Sequence, residues 1–324
     1  MPCGRYGSTL DHVVREFVMN DRDVGRLLPP GYSVRQAVSD DAEAIADLLF
    51  ASAETAGMRS LVTPAELQTE WDSSHRWVVV GPDARVVGHA ALSGMNAEGC
   101  VHPRQRGRGI GTYLVWLLEG LYHESLRSGE SAHGILRHWV LGDDSAADRL
   151  LAGAGYAPSR RDLQMIIDLN EAPPQPEWPG NIGVRPFAPD KDERAVYQVY
   201  VEAWGMDLSF EEDFLDRFVR RPSYDPTLWF LAVDGSDVVG AISAEQTPSM
   251  GWIRQLCILP SNRGRGIGTA LLQEAFVAFY MREIRRVRLG VDADNTSGAV
   301  SLYKRVGMHV ACEYRCYDKN LELA

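Results

Sequence analysis

The chain has 324 residues, a length typical of two domains, and its 45% hydrophobic and 24% charged residues exclude a disordered or fibrous protein. Its net charge of −11 provides no general electrostatic footprint for nucleic acid, and no apolar run is long enough to cross a membrane, so neither is expected as a partner. The five cysteines contain no CxxC pair and the N-terminus has no secretory pattern, which predicts a cytoplasmic protein without a disulfide framework.

The first element in chain order is an N-terminal arm, and after it the sequence repeats itself. The pattern of the arm is compatible with a helix over 11–28. Val34-Arg35 then recurs as Val184-Arg185, and the segment Arg106–Thr112 recurs without change as Arg263–Thr269. Collinear matches of this kind indicate two copies of one domain. The predicted boundaries are an arm at 1–30, domains at 31–171 and 181–324, and a proline-rich linker at 172–180.

Within each copy, strands and helices alternate around a central glycine loop. In the second copy the predicted elements are a strand at 182–185, a helix at 191–203, hairpin strands at 229–233 and 238–244, a strand at 252–258, a helix after the loop, a strand at 287–291, and a last helix from Asn295 through Tyr303. This mixture predicts an α/β protein with a mixed sheet.

The glycine loop carries the clearest chemical signal. A strand, glycines and then a helix N-terminus bring backbone N–H groups and the helix dipole to an anion such as a phosphate. There is no GK[ST], and the glycines run GxGxG rather than GxGxxG, which excludes the P-loop and the dinucleotide fingerprint.

Two motifs identify a family resemblance. Val101-x-Pro103-x-x-Arg106-x-x-Gly109-x-Gly111 and Ile258-x-Pro260-x-x-Arg263-x-x-Gly266-x-Gly268 resemble the acyl-CoA loop of GNAT acetyltransferases. The resemblance covers both halves, and the tandem arrangement is similar to that of the mycothiol synthases, two-domain members that acetylate a cysteinyl amine. It implies two tandem GNAT domains, each a mostly antiparallel sheet flanked by helices, with acetyl-CoA as co-substrate and no metal.

The resemblance also implies roles for individual residues. The pantetheine arm of acetyl-CoA would contact Leu256, Cys257, Ile258 and Asn295, and the pyrophosphate would lie on Arg263, Gly264, Arg265, Gly266, Ile267, Gly268 and Thr269. The corresponding residues of the first half are Gly99, Cys100, Val101, Arg106, Gly107, Arg108, Gly109, Ile110, Gly111 and Thr112. Tyr303 would protonate the departing thiolate, because a phenol beside the sulfur can supply that proton.

The two halves differ where catalysis would occur. Leu151 stands where the second half has Tyr303, so we expect a degenerate first half and catalysis in the second. Whether the first half binds CoA stays open. Members of the family often carry a glutamate base at the position of Trp252, and the substitute we expect here is Glu245. Glu202 and Asp207 are alternatives.

The predicted function is N-acetyl transfer from acetyl-CoA to a primary amine of a small molecule, by direct attack in the second half. The alternatives are a protein lysine or N-terminal acetyltransferase and a non-catalytic acyl-CoA-binding regulatory protein. The intact Asn295 and Tyr303 favour an enzyme. The chain is expected to act as a monomer, in effect an internal pseudo-dimer, or as a homodimer. A basic cluster at Arg282, Arg285, Arg286 and Arg288 is expected to be a solvated face or a contact for the CoA 3′-phosphate.

Overall fold

A computed structural model describes most of the chain. It covers residues 28–56, 58, 62–69, 71, 74–129, 134–205, 209–221 and 223–321. The arm before residue 28, with its predicted helix, and the candidate base Asp207 lie outside these ranges. The chain divides into two compact units, one containing the described residues up to Arg160 together with those from Tyr314, and the other Arg161–Glu313.

The first unit is built on a sheet whose strands lie in the order β1-β2-β3-β4-β5-β12. Its strands are β1 Ser33–Gln36, β2 His75–Val80, β3 Val86–Ser93, β4 Asn96–Val101, β5 Ile135–Leu141 and the end of β12 His309–Asn320. Its helices are α1 Ala42–Thr55, α2 Pro64–Thr69, α3 Ile110–Ser128 and α4 Ser145–Gly153. Neighbouring strands are antiparallel except β4 and β5, which are parallel.

The second unit repeats this plan in the order β7-β8-β9-β10-β11-β6. Its strands are β7 Ile182–Pro186, β8 Phe230–Asp234, β9 Asp237–Gln246, β10 Gly251–Ile258, β11 Arg286–Asp292 and, from Arg161 onward, β6 Ala157–Asp168. Its helices are α5 Glu193–Trp204, α6 Ile267–Met281, α7 Ala299–Arg305 and a π-type helix, Phe210–Val219. The parallel pair here is β10 and β11.

Helices cover both faces of the second sheet, and alternation along the strands decides which side chain joins which layer. In β8, Phe230 packs with Leu271 and Phe276 of α6, whereas Leu231 packs with Tyr200 of α5 on the other face. Residues two apart share a face of a strand, so a single apolar strand contributes to both cores. The predicted mixed, mostly antiparallel sheet flanked by helices is therefore confirmed.

The compact units do not follow the predicted linear boundaries at 171 and 181. Residues Arg161–Asp168 of β6 pair with β11 in the second unit, and Tyr314–Asn320 of β12 pair with β5 in the first. Each unit is thus completed by a strand from the other half of the sequence. A hydrophobic pattern identifies a strand but not the sheet edge that it completes, which is why the sequence did not reveal this exchange.

The predicted last helix begins later than expected. We expected it to start from Asn295, but α7 starts at Ala299 after Gly298, which has a φ of 80°. Asn295 instead accepts hydrogen bonds from the backbone N–H and the hydroxyl of Ser297, which holds the chain in a turn.

Candidate active site

Each glycine loop leads from a strand, through one 3₁₀ turn, into the longest helix of its unit. In the second unit, Gly264 and Gly266 have φ values of 77° and 93°, a left-handed backbone that glycine adopts without strain. A methyl group placed on either residue would meet no atom within 4 Å. The outer side of the loop is therefore open, as a cradle for a pyrophosphate requires. Gly107 and Gly109 give the first unit the same open loop.

The third glycine of each motif is required for a different physical reason, which is close packing between two helices. A methyl group on Gly268 would lie 3.1 Å from Leu302 of α7, and one on Gly111 would lie 3.0 Å from Leu150 of α4. Glycine at this position lets the first turn of the long helix approach the helix that carries Tyr303 or Leu151. The residues immediately before these glycines, Ile267 and Ile110, have buried side chains in the core, so only their backbone can face a ligand.

The strand before each loop separates from its parallel neighbour. β10 pairs with β11 from Gly251 to Ile253, and the register shifts between Ile253 and Gln255. The described backbone of Leu256, Cys257 and Ile258 pairs with β9 on one side and makes no ladder with β11 on the other. That free edge can bind an extended, amide-containing chain such as a pantetheine arm.

The first unit contains the same opening, and a cavity lies beyond it. β4 and β5 pair only from Asn96 to Glu98. The cavity beyond this pairing has a volume of about 410 Å³ and is lined by Gly99, Cys100, Arg106, Gly109, His138 and Leu151. This volume lies within the usual range of small-molecule sites.

The two loop arginines have different partners although the loop sequences are the same. Arg106 forms a 2.8 Å ion pair with Asp144 at the N-terminus of α4. Arg263 instead donates to the backbone carbonyls of Ile258, at 3.2 Å, and Ala203, at 2.7 Å. The first cavity thus contains a carboxylate beside its phosphate loop.

Tyr303 lies on α7 and is 8% exposed. Burial raises the pKa of its hydroxyl to about 12, and the neighbouring Cys257 thiol acts in the same direction. The phenol is therefore protonated at neutral pH and available as a donor. Leu151, its counterpart, is a buried core residue that has no proton to give.

Glu245 lies on the face of the sheet that α5 covers. Ser243, two residues earlier and therefore on the same face, accepts a 2.9 Å hydrogen bond from Tyr200 of α5. The carboxylate is 6% exposed. It accepts a 2.6 Å hydrogen bond from Nε of Arg254 and a 2.7 Å hydrogen bond from the Ser223 hydroxyl. Each oxygen accepts a hydrogen bond from one of these side chains and keeps further lone-pair capacity, so the carboxylate can still accept a proton.

Trp252 occupies the position of the expected glutamate and packs against two arginines. The guanidinium carbons of Arg254 and Arg288 lie 3.4 and 3.7 Å from the centroid of the Trp252 ring. Two guanidinium groups this close to one ring cannot share a face without colliding, so Trp252 lies between them. Sequence reasoning missed Arg254 and Ser223. It also treated Arg288 only as part of a basic cluster.

The members of that cluster have different environments. Arg282 pairs with Asp225 at 2.6 Å, Arg286 pairs with Asp168 at 2.6 Å, and Arg285 stacks on Tyr280. The arginines that are adjacent in the sequence therefore make separate contacts, because Arg282 and Arg285 precede the strand β11 whereas Arg286 and Arg288 lie on it. The alternative base Glu202 is exposed on α5.

The described residues contain neither a membrane-spanning helix nor a metal-binding cluster. No helix in those ranges is long and apolar enough to span a membrane. No group of three or more His, Cys, Asp or Glu side chains in those ranges is arranged to hold a metal ion.

Comparisons with known proteins agree on one family. The model of the acetyltransferase (GNAT) family matches residues 43–151 and 193–308. A mycothiol acetyltransferase of Thermobispora bispora is 31% identical over 282 residues, which cover 82% of this chain and 92% of the relative. A GCN5-related N-acetyltransferase from Sphaerobacter thermophilus superimposes with a TM-score of 0.81 at 35% identity, covering 92% of this chain and 98% of that one. A tandem GNAT protein from the clavulanic acid pathway shares the fold, with a TM-score of 0.65 at 19% identity over 90% of this chain and 99% of that one.

Proposed function

The chain belongs to the acetyltransferase (GNAT) family, as its glycine loops predicted, and from this premise we propose that its second unit acetylates the primary amine of a small molecule. The family uses acetyl-CoA as co-substrate. The acceptor class is supported by relatives named mycothiol acetyltransferases, whose acceptors are small molecules. The alternatives, a protein acetyltransferase and a non-catalytic binding protein, have no comparable support.

The observation that carries the proposal is the position of Tyr303. Its buried, protonated phenol lies beside Cys257 of β10. The backbone of β10 has a free edge there, and the strand leads into the open glycine loop. Acetyl-CoA supplies an acetyl thioester, and transfer to an amine releases a thiolate. Tyr303 donates the proton that the thiolate takes up, and the N–H groups of Gly264 to Thr269 hold the pyrophosphate.

The amine has to lose a proton before or during its attack on the thioester. Glu245 accepts this proton through ordered water, because Trp252 stands where the family often has a closer carboxylate and Glu245 is itself buried against Arg254 and Ser223. The role of Glu245 is therefore that of an indirect base.

The first unit binds acyl-CoA without turning it over. Its loop repeats the sequence of the second loop, and its cavity of about 410 Å³ accepts a pantetheine arm. Leu151 cannot protonate a thiolate. Asp144 pairs with Arg106 beside the loop and weakens binding of the CoA phosphates there by like-charge repulsion.

The test is release of CoA thiol from acetyl-CoA in the presence of purified chain and a panel of acceptors. The panel contains amino sugars, polyamines, amino acids and cysteinyl amines, and a second arm contains lysine peptides and peptides with free N-termini. We expect thiol release with at least one small amine and none with the peptides. Turnover of the peptides alone would establish a protein acetyltransferase instead. A cytoplasmic location and a monomeric or homodimeric state stay predictions.

A further inference from the structure

We propose that the acceptor of the second unit carries an anionic group, a carboxylate or a phosphate, which binds Arg288 where it stacks on Trp252. This inference rests on the proposed function and narrows its substrate class. It distinguishes the acceptor from a neutral amino sugar or glycoside.

The location follows from the direction of the pantetheine arm. The pyrophosphate lies on the loop after Ile258, so the arm runs back along the strand toward Leu256 and its thioester end points to Gln255 and Arg254. Arg254 precedes Leu256 by two residues, ~7 Å along a strand. An acceptor amine at the thioester therefore has its far end beside Arg254, Trp252 and the paired Arg288 of β11.

These side chains share the face that α5 covers. Ile253 and Leu289 belong to the core on the α6 side, so their neighbours Trp252 and Arg288 point to the opposite face. Glu245 reaches the same face from β9, opposite Trp252. The acceptor side of the second unit is therefore lined by Trp252 and by charged groups from three strands.

The balance of charge on this face is positive. Arg254 is held by Glu245, and burial lowers the pKa of Arg254, with further lowering from the charges of Arg221 and Arg288. Among the described residues, no carboxylate lies within 4.0 Å of Arg221 or of Arg288. One carboxylate thus faces three guanidinium groups. A ligand that adds negative charge here relieves repulsion between them.

Arg288 is positioned for such a ligand. Its Nε is buried and has no hydrogen-bond partner among the described residues. The Trp252 ring holds the guanidinium plane in place without satisfying its N–H groups. Two residues away on the same strand face, Arg286 has its carboxylate partner in Asp168. A partly buried guanidinium with donors left over is the arrangement that binds a carboxylate or phosphate through paired hydrogen bonds.

The experiment compares acceptors that differ in one anionic group. The pairs are glucosamine with glucosamine 6-phosphate, and β-alanine with β-alaninamide, so that the phosphate and carboxylate cases are separated. Thiol release gives kcat/KM for each. We expect the anionic member of at least one pair to be preferred by about 10-fold or more, because a charge-assisted hydrogen bond is worth at least that factor.

The variants separate anion binding from folding. Arg288→Gln lowers kcat/KM for the anionic member by about 10-fold or more through KM and leaves the neutral member nearly unchanged, since only the former loses a charge-assisted contact. Arg288→Lys restores part of the preference. The matched control Arg286→Gln removes a guanidinium that already has a partner and leaves the preference unchanged.

Two results overturn the proposal: a wild type that prefers the neutral member of both pairs, or an Arg288→Gln variant that slows both members equally. If no amine releases thiol, the proposed function fails, and anion binding is judged by calorimetry with glucosamine 6-phosphate in the presence of CoA. Binding to wild type that Arg288→Gln abolishes then supports the anion site alone. Equal binding, or none, by the two proteins overturns it.

Discussion

In the proposed mechanism Tyr303 acts only when the thiolate leaves, so its hydroxyl contributes to turnover and not to the binding of acetyl-CoA. We predict that Tyr303→Phe lowers kcat by ~10²–10⁴-fold, the usual contribution of a general acid. Calorimetry with CoA will give an unchanged affinity. Tyr280→Phe, on α6, is the matched control and will keep its kcat. An unchanged kcat in Tyr303→Phe removes the residue from the mechanism.

The pH dependence will report the acceptor and not Tyr303. An alkylammonium group titrates near ~10, so the fraction of neutral amine and with it kcat/KM rise from pH 7 to 9. Burial raises the pKa of Tyr303 to about 12, so the phenol stays protonated across this range and causes no decline. Glu245→Gln will lower the rate modestly, because the proton reaches this carboxylate through water. A kcat/KM that falls from pH 7 to 9 contradicts the assignment.

At the scale of residues, the sequence predicted the loop better than the acceptor face. Gly264 and Gly266 could be assigned because a left-handed backbone requires a specific residue type. Trp252 between two arginines could not, because the contact depends on a shift in register at Arg254 and on the neighbouring strand β11. No local pattern encodes either feature.

At the scale of elements, the same ion pair in each unit ties the strand that precedes the first long helix to the start of that helix. Arg185 binds Asp192 through two hydrogen bonds of 2.6 and 2.8 Å, and Arg35 binds Asp41 with the same two distances. The hydrogen bond from the arginine lowers the pKa of each aspartate, against the opposing effect of burial. The pair therefore orients the strand that enters each helix.

We predict that Asp192→Asn destabilises the second unit by about 1–2 kcal/mol, a value reduced because Arg185 is partly exposed to solvent. The folded pKa of Asp192 lies below its unfolded value, so the stabilisation is present above the unfolded pKa and is lost as the pH falls through the folded pKa. Denaturant unfolding at pH 7 and at acid pH measures this. Glu202→Gln, on the exposed side of α5, is the control. Equal stability of wild type and Asp192→Asn at pH 7 would contradict the prediction.

At the scale of the whole molecule, the repeat predicted two copies of one fold but not the exchange of strands. The seven-residue loop identity was sufficient to find the copies. The strand Tyr314–Asn320 pairs with β5 of the first unit, and Tyr317 and Leu321 enter that unit's core. Arg137 binds Asp318 through two 2.8 Å hydrogen bonds. The first unit therefore depends on the last residues of the second half.

We predict that a chain truncated after Glu313 loses order in the first unit, although the deletion lies in the second half of the sequence. Removing the strand leaves the edge of β5 unpaired and exposes core side chains. Amide hydrogen exchange will show loss of protection in β5, while β8 in the second unit keeps its protection as an internal control. Full protection of β5 in the truncated chain would exclude the exchange.

The most direct test of the account places one substitution at the same position of each loop. Gly109→Glu and Gly266→Glu each put a carboxylate into an open glycine loop, and both strain the same left-handed backbone position, so backbone strain is matched between the two variants. Calorimetry with CoA verifies which site each variant has lost. Thiol release with the best amine of the panel then assigns turnover. We predict that Gly266→Glu abolishes thiol release, whereas Gly109→Glu keeps the wild-type kcat. Loss of turnover in Gly109→Glu with full turnover in Gly266→Glu would assign catalysis to the first unit and contradict the account.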